Sequence, residues 1–168
     1  MYIEIFGQMK KQLAQVDKWL DAAVAYAKEK SFDPNLFLGF RLSPDQFAFA
    51  RQVQIACDTA KMGAARIAGK DAPAQADTEQ TIDELRARVR WVIGYLDGFT
   101  AKDFEGAATR TVTQPRWEGK VMSAPDYFVE HVMPNFYFHL SHVYAILRHN
   151  GVSVGKRDYL GALSQRSP

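Results

Sequence analysis

The sequence predicts an all-α protein built as a four-helix bundle, and the spacing of its apolar residues is the main reason. Apolar side chains recur every three or four residues in four separate stretches, which is the period of an amphipathic helix. The second and third stretches are separated by a polar segment, residues 70–80, that predicts a long crossover. The length of 168 residues suits one domain, spanning residues 1–168.

The first two helices are predicted from apolar stripes and from the residues that begin or end them. The first stripe covers residues 6–27. The second helix is expected to begin at residues 43–46, where Ser43 can cap the helix and Pro44 suits the first helical position. Gly69 is expected to end this helix.

The second half of the chain predicts two more helices with an extended insert between them. The third stripe covers residues 82–99. Alternating side chains at residues 109–114, followed by a second extended piece at residues 117–122, predict a short β-hairpin. The last helix is expected to open at Ser123 and to end at Asn150, where a glycine follows.

The last helix has two unusual features. Pro134 lies inside it and predicts a kink, because proline lacks the backbone N–H and clashes with the preceding turn. The helix is also apolar on more than one face, which is typical of a helix that is central or that lies at a subunit interface. Since exposed apolar patches usually mark interfaces, we expect a homodimer.

Composition and charge narrow the classes of function. Hydrophobic residues make up 47% of the chain and charged residues 24%, which is ordinary for a soluble globular protein. The net charge of +2 is too small to argue for nucleic-acid binding, and no stretch approaches the ~20 apolar residues that span a bilayer. Cys57 is the single cysteine, so we expect a reducing, cytoplasmic setting without disulfides.

Two polar residues, Asn135 and His139, interrupt the apolar stripe of the last helix. Because residues four apart share a helix face, both should be largely buried and point toward helix 2. A buried amide or imidazole is costly unless a partner satisfies it. That partner is a metal, a ligand or a side chain from another helix.

The candidate partners of this pair lie on helix 2 and further along the last helix. Hydrogen bonds from His139 to Asp58 or Gln54, with Asn135 bonded alongside, would satisfy the pair within the protein. These four residues define the predicted ligand-binding pocket. Alternatively, His139 and His142 are three residues apart and could share a divalent metal, zinc or nickel, with Asp58 as a third ligand.

Several segments carry a family resemblance. They are RLSPDQF at residues 41–47, RQVQIACD at residues 51–58 and PNFYFHLSHVYAILRHNGVSVGKRDYLGAL at residues 134–163, together with the initial MY and ARIAG at residues 65–69. The chain resembles the DinB-like superfamily of four-helix bundles, which includes YfiT-like proteins regarded as metalloenzymes. Within that superfamily it looks like a bacterial family known only as a domain of unknown function.

The resemblance implies a bundle with a long crossover between helices 2 and 3, and frequent homodimers. Many members hold a divalent metal with three histidines, one from helix 2 and two, four residues apart, from helix 4. In this chain His139 matches the second histidine of that pair, Asn135 occupies the position of the first, and helix 2 contains no histidine. We therefore expect a degenerate metal site, with no bound metal and no cofactor.

The expected function follows from this mismatch. We expect a protein that binds a small molecule, or that is structural, rather than an enzyme. The alternative is a divalent-metal-dependent enzyme of the thiol transferase or isomerase class. This alternative is supported only by analogy with the fold. A second copy of the chain and a small-molecule ligand are the expected partners; nucleic acid and membranes are not.

Overall fold

Four long helices form the bundle in the computed structural model, which describes residues 1–167. The α-helices are, in chain order, α1 (Tyr2–Glu29), α2 (Phe49–Ala68), α3 (Ile82–Asp97), α4 (Ala124–Asp126), α5 (Met133–His149) and α6 (Lys156–Leu160). Helices α1, α2, α3 and α5 are the bundle, and residues 69–81 form the crossover between α2 and α3. The prediction of an all-α four-helix bundle with this crossover is confirmed.

Helix α2 lies at the centre of the bundle and packs most extensively against α5, then against α3. Small side chains on α2 allow this close approach, and those at Ala56, Ala60 and Ala64 are fully buried or nearly so. Helix α1 packs mainly against α3, and its Trp19 is 1% exposed. A site between these two helices would therefore lie on the face of α2 that packs against α5.

The start of α2 differs from the prediction. The helix begins at Phe49 rather than at Ser43, because Ser43 Oγ contacts the Asp45 carboxylate at 2.5 Å and caps no helix. The backbone N–H of Phe49 instead donates to the Phe40 carbonyl at 2.8 Å, and the Phe49 side chain is fully buried. Residues 43–48 consequently form a loop before α2.

The predicted hairpin between α3 and α5 is present, with strands shorter than the sequence indicated. Strand β1 (Thr111–Val112) pairs antiparallel with β2 (Met122–Ser123), with Thr111 opposite Ser123. A short 3₁₀-helix, Pro115–Trp117, lies between the strands. The hairpin positions this 3₁₀ turn close to the entrance of the last helix.

The last helix opens where the sequence predicted and changes its form before Pro134. The Ser123 side chain accepts a hydrogen bond from the Asp126 N–H at 3.1 Å, which caps α4. Between α4 and α5 the chain forms a π-helix, Tyr127–Val132. Because Pro134 has no N–H to donate one turn back, a wider turn at this point costs less than it would elsewhere. The helix is thus irregular just before Pro134, and the kink itself stays a prediction.

The end of α5 follows a Schellman motif. The Val152 N–H donates to the Leu147 carbonyl at 3.1 Å, and the Gly151 N–H donates to the Arg148 carbonyl at 3.2 Å. Gly151 adopts a φ of +93°, which a side chain would disfavour. The turn directs the following residues back onto α1, where the Tyr159 ring stacks on Trp19 with centroids 5.8 Å apart.

The apolar character of α5 is explained mainly by its central position. Phe136, Leu140 and Leu147, which lie off its main stripe, are fully buried within one copy of the chain. Val129 and Phe138 remain exposed, at 59% and 55%. The homodimer stays a prediction. None of the helices in the described part of the chain has the length and apolar character that crossing a bilayer requires.

A pair of glycine substitutions tests how closely α2 and the last helix approach. A Cβ added at Gly63 would lie 2.7 Å from a methyl group of Val132, whereas one at the exposed Gly94 on α3 would meet nothing within 4 Å. Gly94→Ala should gain helix propensity and stabilise the protein by about 1 kcal/mol. Gly63→Ala should be less stable than Gly94→Ala by about 1–3 kcal/mol in urea unfolding, because of overpacking. Equal stability of the two variants would show that the contact relaxes freely.

Candidate functional site

A cleft between α2, the last helix, the loop before α2 and the hairpin is the candidate site. It consists of two adjoining cavities of about 660 and 550 Å³. Four residues line both cavities, which makes them one continuous space: Phe47, His131, Asn135 and His139. The cleft has the size and the mixture of apolar walls and few polar groups that are typical of small-molecule sites.

His139 is held in one defined state. Its Nδ1 lies 2.7 Å from Gln52 Oε1, while Gln52 Nε2 donates to the Phe47 carbonyl at 3.0 Å. Since the Gln52 amide group is thus oriented with its oxygen toward the ring, Nδ1 carries the proton and Nε2 keeps its lone pair. Burial, aided by His142 and Arg51, lowers the pKa of His139 to about 4, so that the imidazole is neutral near pH 7.

Asn135 is fixed one turn away from His139. Its Nδ2 donates to Thr59 Oγ1 at 2.7 Å, and the Thr59 hydroxyl donates in turn to the Ile55 carbonyl at 2.7 Å. Gln52 and Thr59, seven residues apart on α2, therefore receive the two polar side chains of α5. The prediction that Asn135 and His139 point toward helix 2 agrees with this geometry; His139 is buried and Asn135 is half-buried.

Of the other two predicted pocket residues, Asp58 shares the smaller cavity with Asn135 and His139, and Gln54 lies outside the cleft. Asp58 lines the smaller cavity, but its carboxylate is already 3.0 Å from both Lys61 and Arg88. Gln54 lines neither cavity and donates to Glu79 in the crossover at 2.9 Å. The predicted hydrogen bond from His139 to Asp58 or Gln54 is wrong, because the imidazole bonds Gln52 instead, while Asp58 pairs with Lys61 and Arg88 and Gln54 with Glu79.

The donors in the cleft do not fit the divalent metal that the superfamily implies. Both ring nitrogens of His142 have partners, the Phe138 carbonyl at 2.7 Å and Gln46 at 3.0 Å. No group of three histidine, cysteine or carboxylate side chains that could hold a metal occurs in residues 1–167. His131 and the carboxylates of Asp45, Asp58 and Glu130 also line the cleft, but within that span none of them forms such a group with His139. Amides such as that of Asn135 are poor zinc and nickel ligands. That no metal binds stays a prediction.

The smaller cavity contains charged residues that sequence analysis did not assign to a site. Arg66 donates to the Tyr127 hydroxyl at 3.0 Å, and the Arg116 guanidinium contacts His131 Nε2. The Tyr127 and His131 rings are 5.3 Å apart and connect these two contacts. Burial lowers the pKa of His131, and the positive charges of Arg116 and Arg66 lower it further.

Comparison with known proteins places this architecture in a family. A family model described as a domain of unknown function, DUF1993, matches residues 1–160. The chain belongs to the DUF1993 family. It is also similar to a crystal structure of a DinB family member from Shewanella denitrificans, with 48% identity, coverage of 97% of this chain and 93% of that chain, and a TM-score of 0.93. A search of curated proteins finds no match. The predicted membership of a DinB-like family of unknown function is confirmed.

Proposed function

We propose that this protein binds a small organic molecule in the cleft between α2 and α5. The observation that carries the proposal is the unpaired lone pair of His139 Nε2, held at a cavity of about 660 Å³ by the Gln52 contact. Within residues 1–167 the hydrogen bond of the His139 ring is made through Nδ1 to Gln52. Nε2 is not among the fully buried atoms, and the ring lines both cavities, so a ligand hydroxyl or N–H in the cleft can donate to Nε2.

The walls of the larger cavity support an apolar ligand body. Phe47 and Phe138 line it while remaining 57% and 55% exposed, which is high for phenylalanine side chains. Pro134 adds a third apolar surface. Covering the two rings with a ligand would remove apolar area from water, at about 25 cal/mol per Å².

The alternative, a divalent-metal-dependent enzyme of the thiol transferase or isomerase class, has weaker support. The overall fold favours it, and a histidine oriented through its other nitrogen is typical of metal ligands. One such imidazole is too few for a tight site. Cys57 is no substitute nucleophile, because burial raises its pKa to about 12. A buried reduced thiol instead supports the proposal that the protein is cytoplasmic, while the homodimer remains a separate proposal.

Two matched variants test the binding proposal. Benzyl alcohol, added to isotope-labelled protein, should shift the amide resonances of Gln52, Asn135 and His139 in a saturable manner. Phe138→Ala should weaken this binding about fivefold or more, since part of one apolar wall is lost. Val129→Ala removes a similarly exposed side chain outside the cleft, from the π-helix that precedes α5, and it should bind like the unsubstituted protein. Absence of cleft shifts, or equal losses in both variants, would contradict the proposal.

A further inference from the structure

We propose that the ligand of this cleft is a small organic anion, whose carboxylate or phosphate group binds against Arg66, Arg116 and Gln114. The apolar body of the ligand would extend from there toward Phe47 and His139. This inference rests on the proposed function and specifies the class of ligand. Three features of the smaller cavity support it: two arginines without acidic partners in residues 1–167, the buried amide of Gln114, and an excess of positive charge.

Arg66 and Arg116 differ from the arginines of α3 by their lack of acidic partners in residues 1–167. Arg86, Arg88 and Arg90 on α3 each contact at least one carboxylate. Neither Arg66 nor Arg116 forms an ion pair within the described part of the chain, and each contacts an aromatic residue instead. A guanidinium group presents paired N–H donors whose geometry matches a carboxylate or a phosphate.

Gln114 supplies independent support for a ligand-binding site in the smaller cavity. It lines the same cavity, is only 9% exposed, and its Nε2 has no hydrogen-bond partner in residues 1–167. A buried donor without a partner destabilises the folded protein, because it has lost its hydrogen bonds to water. The buried Nδ1 of His131, beside Arg116, is likewise without a partner in that span. An oxygen-rich group bound at this point would supply the acceptors that Gln114 and the arginines need.

The acidic residues that line the cleft do not neutralise Arg66 and Arg116. The Asp58 carboxylate is shared by Lys61 and Arg88, both at 3.0 Å. Asp45 and Glu130 line the larger cavity and not the smaller one. Arg51, which also lines the smaller cavity, is paired with Asp77. The unneutralised positive charge is therefore concentrated at Arg66 and Arg116, next to the donor of Gln114.

The test compares a neutral probe with two anions of similar shape. Benzyl alcohol, benzoate and phenyl phosphate are titrated into isotope-labelled protein in chloride buffer, and dissociation constants are taken from the shifts of the Gln114, Asn135 and His139 amides. We expect both anions to bind about tenfold more tightly than benzyl alcohol, as charge-assisted hydrogen bonds require. Arg116→Gln and Arg66→Gln should each remove most of this difference.

An arginine outside the cleft serves as the control for this test. Arg90→Gln removes an exposed arginine of α3 that is paired with Asp17, and it should leave the anion preference intact. Because Arg116 is exposed, its variant should fold normally even if Arg66→Gln does not. Equal affinities for the alcohol and the anions would overturn this inference and leave the binding proposal standing. If no probe shifts the cleft resonances, both fail.

Discussion

Arg88→Met should destabilise the protein by about 3–5 kcal/mol, the largest single effect that we expect from the charged residues of this bundle. The Arg88 side chain is 2% exposed and lies 3.0 Å from Asp58, 2.9 Å from Asp77 and 2.8 Å from Glu79. Methionine fills much of the same volume but leaves three carboxylates around an apolar group. Unfolding in urea, followed by circular dichroism, measures the loss.

The same experiment needs a control from the same helix. Arg90→Met removes an arginine whose side chain is 61% exposed and which pairs with Asp17, so the free energy of unfolding should change by less than about 1 kcal/mol. If Arg88→Met proved as mild as Arg90→Met, the buried network would not hold the crossover. The network matters for the site because it fixes one face of α2, while Gln52 and Thr59 lie on the face toward α5.

The helices could be predicted because the apolar period of each one is a local property of the sequence. An amphipathic helix shows this period whichever surface it packs against, so the helix can be recognised before its partner is known. The start of α2 could not be predicted in the same way. Ser43 and Pro44 have the chemistry of a helix start, but the backbone bond from Phe49 to Phe40 and the burial of Phe49 decide the boundary. The local preference of Ser43 and Pro44 is therefore overridden by tertiary contacts that the sequence alone does not show.

The site was predicted in part for a similar reason. The spacing of Asn135 and His139 was enough to place both on one face of a helix. It could not choose among Gln52, Gln54 and Asp58 as the partner, because the rotation of α2 about its axis is set by packing across the whole bundle. The same four-residue spacing relates His131 to Asn135 and makes His131 a further candidate on this face.

The cationic end of the cleft left a weaker signal in the sequence. Gln114 and Arg116 belong to an irregular segment of the chain, where no periodicity indicates which way a side chain points. Arg66 lies seven residues after Thr59, and so shares its face of α2. That relation becomes visible only after Thr59 is known to face the last helix.

The second large effect is a pH dependence of stability that comes from His139. Its pKa is about 4 in the folded protein, because burial and nearby positive charge disfavour the imidazolium form. In the unfolded chain a histidine has a pKa of about 6.5. Between these values the unfolded state binds more protons, so the free energy of unfolding must fall as the pH is lowered through this window. The loss that His139 causes by pH 4 should approach about 3 kcal/mol.

Urea unfolding between pH 4 and pH 7.5 measures this slope, and two variants assign it. His139→Gln keeps an amide that can donate to Gln52 but cannot titrate, so most of the slope should disappear. His149→Gln, at an exposed position at the end of α5, should leave the slope unchanged. A smaller slope should persist in His139→Gln, because burial also lowers the pKa of His131. An unchanged slope in His139→Gln would mean that the pKa of His139 is the same in the folded and unfolded protein, and its Nε2 would then be a hydrogen-bond acceptor only above about pH 6.5.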